Sequence, residues 1–248
     1  MMEEPYRWVE AIATRRDYIE TQLATGSAIV AVSCADGILL LTVGKQKLFE
    51  IYDRIALGAI GHPGDIERLR MAAIELASTE GFTRAAADVS LRRLAYYSLS
   101  PLLKNAFEQI YGAPFLARLL FAEIGATPAE DLFLCVEYDG SIAATDATTA
   151  HPGFAIIAGK RKSSEAMAAF LQREHRGKET LAKAIELALD AWIAGQLAEG
   201  SGELSRAELK KRREEFLKKN APKAVLLERH SAAAIRYRAL DLDSSTRT

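Results

Sequence analysis

Two apolar runs, residues 28–34 and 38–43, are separated only by Ala35-Asp36-Gly37. Both are rich in Ile, Val and Leu, which favour strands, and an Asp-Gly turn favours a tight hairpin. Neither run alternates between apolar and polar residues. A strand with one wet face would alternate, so these continuous runs predict strands covered on both faces. Such a hairpin needs a packed layer on each side.

The rest of the chain supplies candidates for those layers. Residues 5–23 read as a helix, with Val9, Ile12, Ile19 and Leu23 at helical spacing and Pro5 suited to the first turn. Arg16 interrupts that stripe, so its burial is expected to be shallow. A third strand is expected over 54–60, ending at Gly61-His62-Pro63-Gly64. Helices follow over 65–78, with Gly81 just past the end, and over 88–111, where Pro101 should kink or split the helix near Ser100. A second strand block starts near Asp131. It runs over 132–136, turns at Tyr138-Asp139-Gly140-Ser141 and resumes over 153–158. Helices over 164–175 and 179–196 come next, then a linker over 197–205 that contains Gly200-Ser201-Gly202. A charged helix over 206–219 opens with Ser205 and Glu208 as a capping box, and strands over 224–229 and 233–240 close the order.

Strands in blocks with paired helices between them do not make a βαβ chain. They predict an α+β fold, a four-layer α-β-β-α sandwich of two antiparallel sheets flanked by helices. Residues 1–248 read as a single domain, with an N-terminal helix over about 5–24 and a charged helical insertion over about 203–220.

Composition excludes several function classes. A hydrophobic content of 49% is too high for global disorder. With 32 basic and 33 acidic residues there is no overall drive toward nucleic acid or an anionic membrane. Cys34 and Cys135 do not make a disulfide framework and suit a reducing compartment. No apolar run reaches the roughly 18–20 residues of a membrane span, and the first residues are too charged for a secretory signal. The expectation is a cytoplasmic protein with neither nucleic acid nor membrane as partner. His62, His151, His175 and His230 show no metal-ligand spacing, so no metal and no cofactor are expected. The glycines of 58–64 lack the GxGxxG and P-loop patterns and read as a strand-to-helix turn. Tyr96 and Tyr97 are expected to pack their helix against its neighbours. The helix over 206–219 holds seven basic and three acidic residues, a local charge of +4. Without interleaved aromatics it reads as a solvated helix with i,i+4 pairs such as Glu214–Lys218.

Four stretches, in this order, carry a resemblance: GSAIVAVSCADGILLL, KLFEIYDRIALGAIG, VEYDGSI and GFAIIAGKRKSSEAMAAFL. Together they resemble the α-type subunits of the 20S proteasome, especially the bacterial kind. The resemblance covers about 5–196 and resumes at the closing strands. It implies the same sandwich, known as the N-terminal-nucleophile hydrolase fold. Catalytic β subunits of that family start, after processing, with a threonine whose hydroxyl attacks the peptide carbonyl and whose own amine serves as base. An aspartate and a lysine assist. The positions that look like these three hold Ser27 (preceded by Gly26), Val43 and Lys47. An unprocessed Ser27 has an amide nitrogen, which is no base. The resemblance therefore implies a non-catalytic subunit.

In α subunits, a lysine at this place receives the terminal carboxylate of a docking tail from a ring-shaped ATPase or another activator. The resemblance thus implies a docking pocket formed by Lys47, Gly26 and Gly61, with residues 1–4 as a short gating extension. It also implies a ring of identical subunits, seven in number, stacked on catalytic β subunits. The alternative is a self-processing N-terminal-nucleophile peptidase, or a stand-alone proteasome homologue, that uses Ser27. The charged segment near 203–220 looks longer than in the bacterial family members and has no counterpart in the resemblance.

Overall fold

A computed structural model describes residues 5–109, 111–198, 206–231 and 235–242. The expected gating extension at 1–4, Gly200-Ser201-Gly202, the capping residue Ser205 and the first two residues of the expected strand 233–240 lie outside the described residues. The chain begins with α1 (Pro5–Leu23), followed by the hairpin β1 (Ile29–Ser33) and β2 (Gly37–Val43). Next come β3 (Leu48–Tyr52), β4 (Ile55–Gly61) and α2 (Pro63–Thr83). A broken helical stretch consists of α3 (Leu91–Leu94), a π-turn (Ala95–Leu99) and α4 (Ser100–Glu108). Then follow β5 (Ala117–Glu123), β6 (Leu132–Val136), β7 (Ile142–Thr145) and β8 (Phe154–Ile157). The helices α5 (Arg161–Glu174), α6 (Leu181–Gln196) and α7 (Arg206–Lys219) precede β9 (Pro222–Glu228) and β10 (Tyr237–Leu240).

The strands form two antiparallel five-stranded sheets, ordered β10-β9-β2-β1-β8 and β3-β4-β5-β6-β7. Every residue of β1 and of β2 is buried. Because side chains alternate along a strand, the two faces feed different cores. Val30, Val32, Leu39 and Leu41 pack under α5 and α6, with Met167, Leu171 and Ala188. Ile29, Ala31, Ile38 and Leu40 face the second sheet and meet Leu120, Ala122 and Phe133. The outer face of that second sheet offers Leu57, Ala59, Leu119 and Leu134 to α2 and to the α3–α4 stretch. The α-β-β-α sandwich read from the sequence is the observed architecture.

Several local expectations need correction. Three strands were not anticipated: β3, β5 and β7. The edge strands β3 and β7 are only partly buried, and β5 carries Arg118 and Glu123 near its ends, which hides a central strand. The helix expected to stop before Gly81 runs on to Thr83. Gly81 lies inside α2 because a Cβ there would sit 2.1 Å from the Tyr52 hydroxyl. The helix does not split near Ser100: the chain stays helical over residues 91–108, and the irregularity is the π-turn just before Pro101. An extra residue in that turn re-aims its side chains. Leu94, Ala95 and Leu99 point inward, while Tyr96 and Tyr97 turn to solvent, Tyr97 being 82% exposed. The expectation that this tyrosine pair packs internally is therefore overturned. The charged helix α7 is not wholly solvated either. Leu209 joins the core beneath α6, the rings of Phe216 and Trp192 lie 4.8 Å apart, and Arg213 pairs with Asp190 at 2.9 Å.

At one end of β1 a polar cluster ties the sheets together. Asp131, just before β6, meets Arg229, just after β9, through two hydrogen bonds of 2.8 Å. The same guanidinium donates to the carbonyls of Gly125 and Cys34, and Asp131 also accepts from the Ser33 hydroxyl and the Gly125 amide. Both charged side chains are inaccessible to solvent. A buried pair broken on one side leaves an uncompensated charge. Asp131→Ala should therefore lower stability by about 3–5 kcal/mol, read from urea denaturation. Asp131→Leu combined with Arg229→Met should recover most of that loss. An equal loss in both variants would remove the pair from this role.

Candidate functional site

The joint between α1 and β1 lies at the other end of β1. Gly26 closes the last turn of α1, its amide donating to the Leu23 carbonyl at 2.8 Å. Ser27 follows, and its hydroxyl donates to the Val43 carbonyl at 2.8 Å. Lys47, between β2 and β3, donates from Nζ to the Ser27 carbonyl at 3.3 Å. Ser27, Val43 and Lys47 are thus brought into one corner. The hydroxyl proton faces a backbone carbonyl, and the valine side chain brings no carboxylate. Burial, and to a lesser degree the neighbouring charge of Lys45, holds the Lys47 ammonium below the ordinary lysine pKa.

Gly26, next to Ser27, borders the same corner, and Gly61 ends the neighbouring strand β4. The Ala59 amide donates to the Lys47 carbonyl at 3.0 Å, so Lys47 lies beside β4. A Cβ on Gly26 would sit 3.0 Å from the Leu23 carbonyl and 3.3 Å from Ile60. Gly61, at the end of β4, has φ +133, and a Cβ there would lie 2.0 Å from the Leu116 carbonyl. The requirement for glycine at 61 comes from close packing against the entry to β5. His62 belongs to the start of α2, where its Nδ1 accepts from the Gly64 amide at 3.2 Å. The 58–64 segment is the strand-to-helix turn that its glycines predicted.

Sequence reasoning did not foresee how α1 is fastened. Arg118 of β5 donates to Glu137 at 2.6 Å, to Glu20 of α1 at 3.1 Å and to the Ala158 carbonyl at 2.5 Å. The Tyr138 hydroxyl also donates to Glu20, at 2.9 Å. Burial pushes the Glu137 carboxyl above its ordinary range, only partly offset by Arg118. Arg16 pairs with Asp139 at 3.1 Å, and Arg15 donates to the carbonyls of Phe107 and Gln109. These groups are far apart in sequence and converge only in the fold. The one local signal is Glu137 standing directly before Tyr138-Asp139-Gly140.

Among the described residues, no group of three His, Cys, Asp or Glu side chains is placed to hold a metal ion. None of the described helices is long and apolar enough to cross a membrane. Large aromatics lie open at two places. Trp8, Tyr18 and Tyr111 are exposed near α1, and Phe82, Tyr96 and Tyr97 are exposed along α2 and the π-turn.

Comparison with known proteins gives a consistent picture. The family profile described as Proteasome subunit matches residues 23–198. A protein named Proteasome subunit alpha from Kineococcus radiotolerans is 32% identical over 199 residues, covering 76% of either chain. Relatives of the same name from a Parafrankia species and from Streptomyces griseus are each 32% identical, over 197 and 186 residues. These alignments cover 75% and 73% of this chain, and 74% and 65% of the respective relatives.

Two measurements check the geometry of the corner. In an NMR titration of side-chain amines, Lys47 should lose its proton below the ordinary lysine pKa, and an unshifted or raised value would contradict the burial described. Gly61→Ala should destabilise by more than about 1 kcal/mol, since both the positive φ and the Leu116 carbonyl oppose a side chain. Gly26→Ala should cost less.

Proposed function

This chain belongs to the proteasome-subunit family, and we propose that it is the non-catalytic α subunit of a 20S proteasome core particle. In this reading identical copies, seven to a ring, form the outer ring, stack on catalytic β subunits and gate entry for intracellular protein degradation in the cytoplasm. The hydrolytic chemistry belongs to the β partner. The observation that carries the reading is the state of the Ser27 corner. A nucleophile of this kind needs a free α-amine or another base within reach. Within the unprocessed chain the Ser27 nitrogen is an amide, the Ser27 hydroxyl donates to the Val43 carbonyl, and the Val43 side chain brings no carboxylate to the corner.

Lys47 then has a different role. We assign Lys47, with Gly26 and Gly61, to a pocket for the C-terminal carboxylate of an activator tail, supplied by a ring-shaped ATPase or another activator. A half-buried ammonium meets such a carboxylate with less competition from water, which strengthens the pair. The two exposed aromatic patches fit a subunit with neighbours on more than one side, because contiguous exposed apolar surface marks interaction sites. The patch at α1 suits the adjacent copy in the ring, and the patch on α2 and the π-turn suits the stacked ring.

The test combines intact mass, native mass spectrometry and peptidase assays. The chain should keep its residues before Ser27, assemble into rings, and hydrolyse peptides only when co-assembled with a processed β subunit. Loss of residues 1–26, with peptidase activity in the chain alone, would overturn the reading in favour of a self-processing hydrolase that uses Ser27. Within the assembled particle, Lys47→Ala should reduce activator-stimulated proteolysis at least fivefold while rings still form. Unchanged stimulation would remove the pocket assignment.

A further inference from the structure

The end of the first sheet beside Lys47 gathers an unbalanced positive charge, and strand register shows which segments meet there. The last residues of β2, Thr42 and Val43, pair with Lys223 and Pro222 at the start of β9. The β2–β3 turn, with Lys45 and Lys47, and the end of α7, with Lys218 and Lys219, therefore run into the same sheet end. Segments 43–48 and 216–223 together hold five lysines and no acidic residue, in a chain of net charge −1.

The chain does not neutralise this charge itself. Lys45, Lys218, Lys219 and Lys223 are exposed and Lys47 is half-buried. Among the described residues no carboxylate pairs with any of the five. Lys47 meets the Ser27 carbonyl, and the charge that bears on it is that of Lys45. By alternation along β9, Lys223 shares the face of Val225 and Leu227, which lie in one core with Leu48, the residue after Lys47. Lys223 and Lys47 thus border the same side of the sheet. The acidic residues nearest by register serve elsewhere. Glu50, on β3, feels the charge of Asp53, and Asp241, just past β10, is already engaged.

The anchoring of α7 fixes its end at this place. Leu209 and Phe216 hold the helix on α6, and Arg213 pairs with Asp190 and Glu186. Those contacts use one face and leave the last turn open to solvent. Cations in a last turn suit the helix dipole, which accounts for Lys218 and Lys219 as local stabilisers. It does not account for Lys223, Lys45 and Lys47 beside them. Like charges grouped in this way repel one another, and an anion from outside relieves the repulsion.

We propose that the activator tail whose terminal carboxylate meets Lys47 also carries Asp or Glu residues upstream, and that Lys45, Lys218, Lys219 and Lys223 bind them. The inference rests on the docking reading of Lys47 and names the chemistry of the partner. Neighbouring strands lie about 4.8 Å apart. An extended tail advances about 3.3 Å per residue, so it crosses from Lys47 over β2 to β9 within a few residues. Lysines on flexible stems act as point charges, so this surface selects for charge rather than for one sequence. The charged insertion α7, which the family resemblance leaves unexplained, thereby bears on which activator docks.

The test uses the particle assembled with its β partner and labelled peptides that share one C-terminal tripeptide. Upstream they carry either four glutamates or four glutamines. By fluorescence anisotropy the glutamate peptide should bind at least tenfold more tightly at low salt, and the advantage should shrink at high salt. Lys218→Glu, Lys219→Glu and Lys223→Glu together should erase the advantage, with ring assembly and binding of the glutamine peptide unchanged. The neutral Lys223→Gln alone should reduce it at least twofold, which keeps the test independent of charge reversal. Equal affinity of the two peptides, or an advantage that survives the triple variant, would overturn the inference and leave docking at Lys47 standing. Lys47→Ala, or amidation of the peptide termini, should weaken both peptides. If neither change did so, the docking reading itself would fall. Tighter binding of oligothymidylate than of the glutamate peptide would assign the surface to nucleic acid and overturn the partner class.

Discussion

Double burial of the β1–β2 hairpin is the constraint from which the architecture follows. Residues along these strands alternate between a core under α5 and α6 and a core between the sheets. Removing either layer would expose a full strand face of Ile, Val and Leu, each worth about 1.5–3 kcal/mol when buried. Two sheets must therefore pack face to face, and helices must cover both outer faces. Polar groups are driven to the ends of the strands. The Asp131–Arg229 cluster occupies one end of β1, and the Ser27–Lys47 corner occupies the other. Chemistry in this chain is a matter of strand ends because the middles are closed to it.

The same constraint explains what could be read in the sequence. A hairpin buried on both faces leaves an unbroken apolar signature, and a helix as charged as α7 leaves a clear one too. Its expected bounds, 206–219, are those observed. The strand β5 is equally central but was missed, because Arg118 sits in its second position. That charge is tolerable only because Glu20 and Glu137 surround it, and they come from elements remote in the chain. No local pattern encodes such a network. The tyrosine pair failed for a simpler reason. With Leu91, Leu94 and Ala95 inward, helical spacing already puts positions 96 and 97 on the outer face, and the π-turn brings Leu99 back to the core. The make-up of the Ser27 corner was legible as residue identities, Ser27 and Val43, but the commitment of the Ser27 hydroxyl to a backbone carbonyl was not.

How α1 is held bears on assembly. Exposed ion pairs such as Arg16–Asp139 contribute only about 0–1 kcal/mol, and Arg16 is half exposed. Ile19 and Leu23 are fully buried against Phe107 and Tyr138, and each contributes more than such a pair. The apolar anchor therefore fixes the C-terminal part of α1, and Arg118 with Glu20 sets its orientation there. Toward its start the helix leaves Trp8 41% and Val9 66% exposed. A helix anchored at one end and partly open at the other suits the ring assembly proposed above. A neighbouring copy can finish the burial that this chain leaves undone. A ring of such subunits would then hold the start of α1, about 22 Å along the helix from the joint where Lys47 lies.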